Sequence, residues 1–137
     1  MLNSEDMRIA DYALDGRTHC IEVSGQLDLY SAPGFKGRMG AVLDHGKTHV
    51  IVDLSGVTFM DSTTLGVLVG TLRRLRSMDG ALSLVVTDYD IERLFRVTGL
   101  QDTFTICRSR DEALEQLART HTQPTDASSR FPSSSRA

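Results

Sequence analysis

The sequence predicts an α/β fold with a mixed, mostly parallel five-stranded sheet and about four helices, in the order ββαβαβαβα. Two strand-like runs, residues 7–14 and 17–23, open the chain and are joined by Asp15-Gly16. After them, short apolar runs alternate with segments whose apolar residues recur at helical spacing. The first pattern predicts an antiparallel hairpin at one edge, and the second predicts parallel strands joined by right-handed crossovers.

The opening hairpin is expected to have a tight two-residue turn, because Asp-Gly suits positions that need positive φ. In its second strand, Ile21 and Val23 define one apolar face. In its first strand, Ile9 fits one face and Tyr12 fits the other. That change of face predicts a bulge in the first strand.

The following elements have recognisable boundaries. Ser31 is a candidate N-cap for the first helix, with Pro33 in its first turn. Residues 50–54, Val-Ile-Val-Asp-Leu, have the nearly continuous apolar character of a central strand buried on both faces. Residues 55–60 are predicted to link this strand to the second helix. Residues 109–112, Ser-Arg-Asp-Glu, have the spacing of a capping box for the last helix.

Composition indicates one ordinary globular domain. The chain has 137 residues, 40% hydrophobic and 24% charged, with a formal net charge of -3. This mild acidity gives no support to a nucleic-acid partner, and no apolar run is long enough to cross a membrane. Residues 1–6 are expected to be a flexible N-terminus without a secretory signal, residues 7–119 the domain, and residues 120–137 a disordered Ser/Pro-rich tail. A cytoplasmic location is expected.

Metal, redox and disulfide chemistry are not indicated. Cys20 and Cys107 are far apart in the sequence, and neither belongs to a CxxC pair. Both are expected to be reduced. The four histidines are scattered, so no metal or catalytic role is assigned to any of them.

The segment that carries the chemistry is residues 52–66, where a strand ends, a loop crosses its carboxyl end and a helix begins. Binding sites in open α/β sheets favour that edge. Asp61, Ser62, Thr63 and Thr64 lie together at the helix start. On spacing alone they are interpreted as helix caps, with Asp61 or Ser62 as the N-cap. A phosphate on Ser62 would also be well placed, because a helix N-terminus has free N–H groups and partial positive charge.

Three blocks resemble one family. Residues 59–70, Phe-Met-Asp-Ser-Thr-Thr-Leu-Gly-Val-Leu-Val-Gly, resemble the phosphorylation segment of STAS-domain anti-sigma factor antagonists. Residues 25–33, Gly-Gln-Leu-Asp-Leu-Tyr-Ser-Ala-Pro, are similar to that family's segment before the first helix, and residues 93–100 to its late helix and glycine stop. The resemblance covers about residues 7–119. Thr64 departs from it, because the family usually has glycine there, and it is expected either to narrow access to Ser62 or to offer a competing phosphoacceptor.

The resemblance implies a partner switch. The dephosphorylated antagonist would bind an anti-sigma factor that is also an ATP-dependent serine kinase, and so free the sigma factor. Phosphorylation of Ser62 would end that binding, and a PP2C-type phosphatase would restore it. The chain would be a substrate and not an enzyme, with no cofactor of its own, since ATP and magnesium belong to the kinase.

The same resemblance implies a set of partner-binding residues around the phosphoacceptor: Asp28, Tyr30, Ser31, Asp61, Ser62, Thr63, Thr64 and Gly66. Asp28 is expected either to contact the kinase or to cap its own loop. Asp61 is expected to position the Ser62 hydroxyl or to cap the helix. Gly66 and Gly70 would allow close approach of a partner, or else close packing on the sheet.

Three other functions stay open on the sequence. In a receiver-like domain, Asp53 would be the phosphoacceptor, although no acidic pair or late lysine can be placed. In a hydrolase, Ser62 would be the nucleophile, but there is no GxSxG motif and no evident base. The chain would alternatively be a STAS regulatory module of a transporter or of a stress-sensing complex.

Overall fold

The computed structural model describes residues 7–122 and contains one five-stranded sheet with strand order β1-β2-β3-β4-β5. β1 is antiparallel to β2, and the other neighbours are parallel. The predicted mixed sheet and the order ββαβαβαβα are both confirmed. The elements are β1 (Arg8–Ala13), β2 (Thr18–Leu27), α1 (Ala32–Asp44), β3 (His49–Met60), α2 (Ser62–Ser77), β4 (Ala81–Val85), α3 (Tyr89–Val97), β5 (Thr105–Cys107) and α4 (Arg110–Thr122).

The predicted domain boundary at residue 119 lies just inside the described residues, whereas most of the two predicted terminal segments lies outside them. Helix α4 continues to Thr122 and so passes the expected domain boundary at residue 119. The predicted flexible N-terminus, residues 1–6, and the remainder of the predicted tail, residues 123–137, lie outside the described residues. Within residues 7–122, no helix is long and apolar enough to span a bilayer.

The two faces of the sheet are covered by different helices. Buried side chains of α1, α2 and α3, such as Phe35, Leu68 and Phe95, share one large core with the sheet. On the other face, Ala113 and Leu117 of α4 belong to a smaller core. Each crossover moves one strand further along the sheet, from β2 to β5, and among the described helices only α4 covers the opposite face.

Strand β3 lies at the centre and is buried on both faces, as its apolar run predicts. Val50, Val52 and Leu54 belong to the large core, whereas Ile51 belongs to the smaller one. All four side chains are fully buried. Burying each one stabilises the fold by roughly 1.5–3 kcal/mol before entropy costs.

The later helices begin at side-chain caps. Asp88 Oδ1 accepts hydrogen bonds from the Asp90 and Ile91 N–H groups at the start of α3. At α4, the Glu112 N–H donates to Ser109 Oγ at 3.1 Å, as the capping-box spacing predicts. These bonds satisfy N–H groups that have no acceptor within the helix.

The predicted two-residue turn at Asp15-Gly16 is wrong. β1 ends at Ala13 and β2 begins at Thr18, so the connection is longer. Asp15 Oδ1 accepts hydrogen bonds from the N–H groups of Arg17 and Thr18, both at 2.8 Å. Gly16 does not have positive φ. The turn is therefore closed by the aspartate side chain and not by left-handed backbone.

The predicted bulge in β1 is also wrong. β1 pairs with β2 in an unbroken register from Arg8 opposite Ser24 to Ala13 opposite His19. Ile9 packs against the large core, while the Tyr12 hydroxyl lies on the α4 side and contacts Arg110. Because side chains on both faces of this strand contact other parts of the protein, apolar residues at odd and at even positions both fit a regular strand.

Residues 55–60 are strand and not the predicted linker. β3 extends to Met60 and pairs with β2 as far as Leu27, with register shifts between Glu22 and Ser24 and between Gly25 and Gln26. Gly56 allows this pairing, because a Cβ there would lie 2.8 Å from Ser24 Cβ. As a result, β2 and β3 end side by side.

Candidate functional site

The candidate site lies at the carboxyl edge of the sheet, where two strands end together. Leu27 of β2 pairs with Met60 of β3, so the next residues, Asp28 and Asp61, each follow the end of one of two adjacent strands. Helix α2 begins one residue later, at Ser62. The structure therefore brings the loop before α1 and the first turn of α2 to one surface, as the sequence predicts.

Asp28 organises the loop between β2 and α1. Its Oδ1 accepts hydrogen bonds from the N–H groups of Tyr30 and Ser31, both at 3.0 Å. The loop-capping interpretation of Asp28 is thereby confirmed. In this loop the residues Tyr30 and Leu29 are 88% and 60% exposed.

Ser31 is the N-cap residue of α1, as the sequence predicts. Its side chain makes no cap hydrogen bond to α1. Instead Ser31 Oγ donates to the Gln26 carbonyl at 2.8 Å and accepts from the Asp28 N–H at 3.0 Å. The hydroxyl thus stabilises the loop that carries Tyr30, because it links both ends of the turn.

Asp61 is the N-cap of α2. Its backbone is extended, with φ -113° and ψ 179°, and its Oδ1 accepts a hydrogen bond from the Thr64 N–H at 3.3 Å. Ser62 and Thr63 follow as the first two helical residues, and both are exposed. The Ser62 hydroxyl therefore lies at the positive end of the helix dipole and is open to solvent.

Thr64 contradicts both expectations attached to it. The residue is fully buried, and its Oγ1 donates a 2.9 Å hydrogen bond to the Leu27 carbonyl. Because its side chain points inward, it does not narrow access to Ser62, and its hydroxyl is not available as a competing phosphoacceptor. The prediction that Thr64 contacts a partner directly is wrong for the folded surface.

Gly66 and Gly70 lie on an open groove between α1 and α2. A Cβ at either position would meet no atom within 4 Å apart from the neighbouring backbone of its own helix, so the close-packing explanation for these glycines is wrong. The groove has a volume of about 430 Å³ and begins beside Thr63. Its other lining residues are Lys36, Met39, Gly40, Leu43, Val67, Thr71 and Arg74.

Two parts of this surface are not singled out by the sequence. The first is Leu29, which lies in a short loop where apolar periodicity cannot be used. The signal that could have found it is an apolar residue directly beside Asp28. The Leu27 carbonyl accepts from both the Asp61 N–H, at 3.1 Å, and Thr64 Oγ1. No sequence pattern identifies a backbone acceptor that lies 37 residues away from Thr64 in the chain.

Asp53 has a structural environment and not that of a phosphoacceptor. Its side chain is 9% exposed and faces α4, where Oδ2 lies 3.2 Å from Arg110 Nε. Oδ1 accepts hydrogen bonds from the Ser55 N–H, at 3.0 Å, and from Ser55 Oγ, at 2.6 Å. With both oxygens engaged, Asp53 gives no support to a receiver-like function.

The histidines with described side chains lie far from Ser62. His49 begins β3, His19 pairs with Val50 beside it, and His45 follows α1 at the same end of the sheet. Ser62 follows the opposite end of the 12-residue strand β3, roughly 35–40 Å away at the usual rise per residue. A general base for a Ser62 nucleophile is therefore absent among these three histidines.

Both cysteines are free and buried, and burial raises the pKa of each thiol above its usual value. They face the smaller core beneath α4 and take no part in the candidate site. In residues 7–122 there is no group of three or more His, Cys, Asp or Glu side chains arranged to hold a metal ion.

Comparison with known proteins identifies the class. The family model for the STAS domain matches residues 11–113, and the chain therefore belongs to the STAS domain family. Its relatives narrow the group. The anti-sigma-B factor antagonist of Staphylococcus aureus is 38% identical over 82 residues, which are 60% of this chain and 76% of that protein.

Solved structures agree with this grouping. An anti-sigma factor antagonist from Mycobacterium paratuberculosis superposes with a TM-score of 0.77 at 27% identity, over 86% of this chain and 99% of that one. The Bacillus cell fate determinant SpoIIAA in its phosphorylated form has the same fold, with a TM-score of 0.63 at 21% identity, over 80% of this chain and 98% of that one. The chain thus falls with the anti-sigma factor antagonists, which are regulators and not enzymes, and whose partner is an anti-sigma factor.

Proposed function

We propose that the unphosphorylated chain binds an anti-sigma factor that is also a serine kinase, and that phosphorylation of Ser62 switches this binding off. Binding would release the sigma factor to RNA polymerase. The observation that carries the proposal is the exposed Ser62 at the first position of α2, beside the Asp28 loop. The family resemblance names the chemistry, and this geometry supports it.

The surface around Ser62 has the features of a protein-binding site. Leu29 and Tyr30 present exposed apolar area on one side. The groove past Gly66 and Gly70 extends the surface on the other side. Exposed aromatic and aliphatic groups beside an open groove are typical anchors of protein interfaces. The partner surface would therefore include Asp28, Tyr30, Asp61, Ser62, Thr63 and Gly66, with Ser31 and Thr64 acting from beneath it.

Phosphorylation of Ser62 would oppose binding by charge. A phosphate adds about -1.5 to -2 charges at neutral pH. Asp28 and Asp61 already place two carboxylates at the same sheet edge. Burying the added charge unpaired in an interface costs several kcal/mol, and a loss of about 4 kcal/mol weakens binding roughly a thousandfold.

The phosphate would leave the fold intact, because the N–H groups at the start of α2 can donate hydrogen bonds to an anion. The same fold in phosphorylated SpoIIAA supports this expectation. A PP2C-type phosphatase would remove the phosphate and restore binding. The kinase would supply ATP and magnesium, and the cycle would run in the cytoplasm, where sigma factors and ATP are found.

The proposal is tested by phosphate mapping. The chain is incubated with ATP, magnesium and each purified anti-sigma kinase of its own cell, and the products are analysed by intact mass and peptide mapping. One added phosphate on Ser62, absent from Ser62→Ala and retained in Thr63→Ala, is the expected result. No phosphate with any kinase, or phosphate on Thr63 instead, would overturn the assignment and favour a STAS module of a transporter or stress-sensing complex.

A further inference from the structure

We propose that Thr64 is a positioning residue that holds the Ser62 segment and the Asp28 loop in one fixed relative geometry. This inference rests on the proposed function, because it takes Ser62 as the phosphoacceptor. Thr64 itself is fully buried and touches no partner. It acts through the hydrogen bond of its hydroxyl to the end of β2.

The geometry is a closed ring of three hydrogen bonds around Ser62. The Leu27 carbonyl accepts from Thr64 Oγ1 at 2.9 Å and from the Asp61 N–H at 3.1 Å. Asp61 Oδ1 in turn accepts from the Thr64 N–H at 3.3 Å. Ser62 and Thr63 are the residues enclosed between the two ends. The backbone that carries the Ser62 hydroxyl, the proposed phosphoacceptor, is therefore hydrogen-bonded to β2 on both sides.

The ring continues directly into the Asp28 loop. Leu27, which accepts both bonds, is followed at once by Asp28, whose carboxylate holds the Tyr30 and Ser31 N–H groups. The Asp28 carbonyl also accepts from the Ala32 N–H at 2.9 Å, which ties the loop to the start of α1. The two halves of the proposed surface are thus joined through the adjacent residues Leu27 and Asp28, and this connection would couple their movements.

Burial is what makes the Thr64 bond effective. A hydroxyl that water cannot reach does not exchange its protein acceptor for water, so its bond to Leu27 is expected to persist when exposed contacts at the edge exchange with solvent. Valine has nearly the shape of threonine but lacks the donor. Thr64→Val therefore removes the Thr64–Leu27 hydrogen bond between α2 and β2 with little change in packing volume.

The chain offers a matched control on the same helix. Thr71 of α2 is 8% exposed, and its Oγ1 donates to the Val67 carbonyl at 2.9 Å. That bond stays within α2 and connects nothing to the Asp28 loop. Thr71→Val thus makes the same chemical change without breaking the ring, and Thr64→Ser restores a hydroxyl at the ring position.

Amide hydrogen exchange of the full chain tests the link without a kinase. In Thr64→Val, exchange is expected to rise about fivefold to tenfold at both residues 28–32 and residues 61–65, relative to central β3 amides. Thr64→Ser is expected to exchange like the wild type, and Thr71→Val to leave both segments unchanged. A rise confined to residues 61–65, or an equal rise in Thr71→Val, would overturn the inference.

Phosphorylation kinetics provide the second readout. The assay uses a kinase that modifies wild-type Ser62, at a temperature well below the unfolding temperature of the variants. Thr64→Val is expected to lower kcat/KM for phosphorylation at least threefold, and Thr64→Ser is expected to restore it. Unchanged kcat/KM in Thr64→Val would overturn the positioning role even if exchange rises. If no kinase modifies the wild-type chain, the proposed function fails, and the exchange comparison alone decides whether Thr64 couples the two segments.

Discussion

Leu27 and Met60 are the last paired residues of the parallel strands β2 and β3, and each is followed by an aspartate. This register places Asp28 and Asp61 at the same edge of the sheet, from which α2 begins. One carboxylate orders a loop with exposed apolar side chains, and the other caps the helix that carries Ser62. The edge therefore combines apolar contact area with a fixed negative charge, which suits a surface that a further negative charge would switch off.

Asp28 is expected to contribute to binding through the loop that it orders. Asp28→Ala removes the acceptor for the Tyr30 and Ser31 N–H groups, which lowers the free energy of unfolding by about 1 kcal/mol. Because Leu29 and Tyr30 then lose their fixed positions, affinity for the anti-sigma factor is expected to fall about tenfold. Urea unfolding and calorimetric titration measure the two effects.

Asp28→Asn is the control for that experiment, since it keeps the Oδ1 acceptor. It is expected to retain most of the stability and most of the affinity. Wild-type affinity in Asp28→Ala, together with the predicted loss of stability, would show that the loop lies outside the interface.

Gly66 is expected to favour binding at a cost to helix stability. Glycine within a helix costs about 1 kcal/mol relative to alanine, and a Cβ at Gly66 would meet no atom within 4 Å apart from the neighbouring backbone of its own helix. Gly66→Ala should therefore raise the free energy of unfolding by about 0.5–1 kcal/mol while weakening anti-sigma factor binding several-fold.

Gly37 provides the matched control, because it lies inside α1, also has no atom within 4 Å of a built Cβ, and does not line the groove. Gly37→Ala is expected to stabilise the chain similarly and leave binding unchanged. Equal binding by both alanine variants would remove the α1–α2 groove from the interface.

Asp11 is expected to make stability depend on pH at the opposite end of the molecule. Its carboxylate lies 2.6 Å from His19 Nε2 and 2.7 Å from an Arg38 nitrogen, and chiefly the His19 hydrogen bond holds the pKa of Asp11 below its usual value. A carboxyl whose pKa is lowered by folding contributes stability above its unfolded-state pKa, near 4, and loses that contribution as pH falls through the lower folded-state pKa.

Asp11→Asn should accordingly lower the free energy of unfolding by about 1 kcal/mol at pH 5, and the difference from wild type should shrink towards pH 3. Thermal unfolding across that range measures it, with the exposed Asp102→Asn as control. A difference that stays constant from pH 5 to pH 3 would contradict the assigned cause.

Sequence patterns predict most of this fold because the spacing of apolar residues in strands differs clearly from their spacing in helices. The run at residues 50–54 marks a strand buried on both faces, and the stripe in α2 marks a helix with one buried face. The extension of β3 to Met60 is harder to predict from the sequence, because it depends on pairing with Gly25 to Leu27 of another strand. The prediction of a two-residue turn at Asp15-Gly16 fails for a related reason. A side-chain acceptor, Asp15 Oδ1, replaces the backbone conformation that Asp-Gly favours.

The candidate site is predicted in part for the same reasons. Asp61 and Ser62 are recognisable as a helix start, and the family resemblance marks Ser62 as the phosphoacceptor. The inward orientation of Thr64 is not predictable, because its acceptor is the Leu27 carbonyl, 37 residues away in sequence. Only the folded chain shows that this hydroxyl supports the surface from beneath.

The most direct test of the switch compares the affinity of the anti-sigma factor for two forms of one protein. The unphosphorylated chain and the chain phosphorylated at Ser62 are titrated separately by calorimetry, with Ser62→Ala as a form that cannot be modified. Tight binding of the unphosphorylated chain and of Ser62→Ala, with about a thousandfold weaker binding of the phosphorylated chain, is the predicted result. Equal affinity of the phosphorylated and unphosphorylated forms would contradict the account.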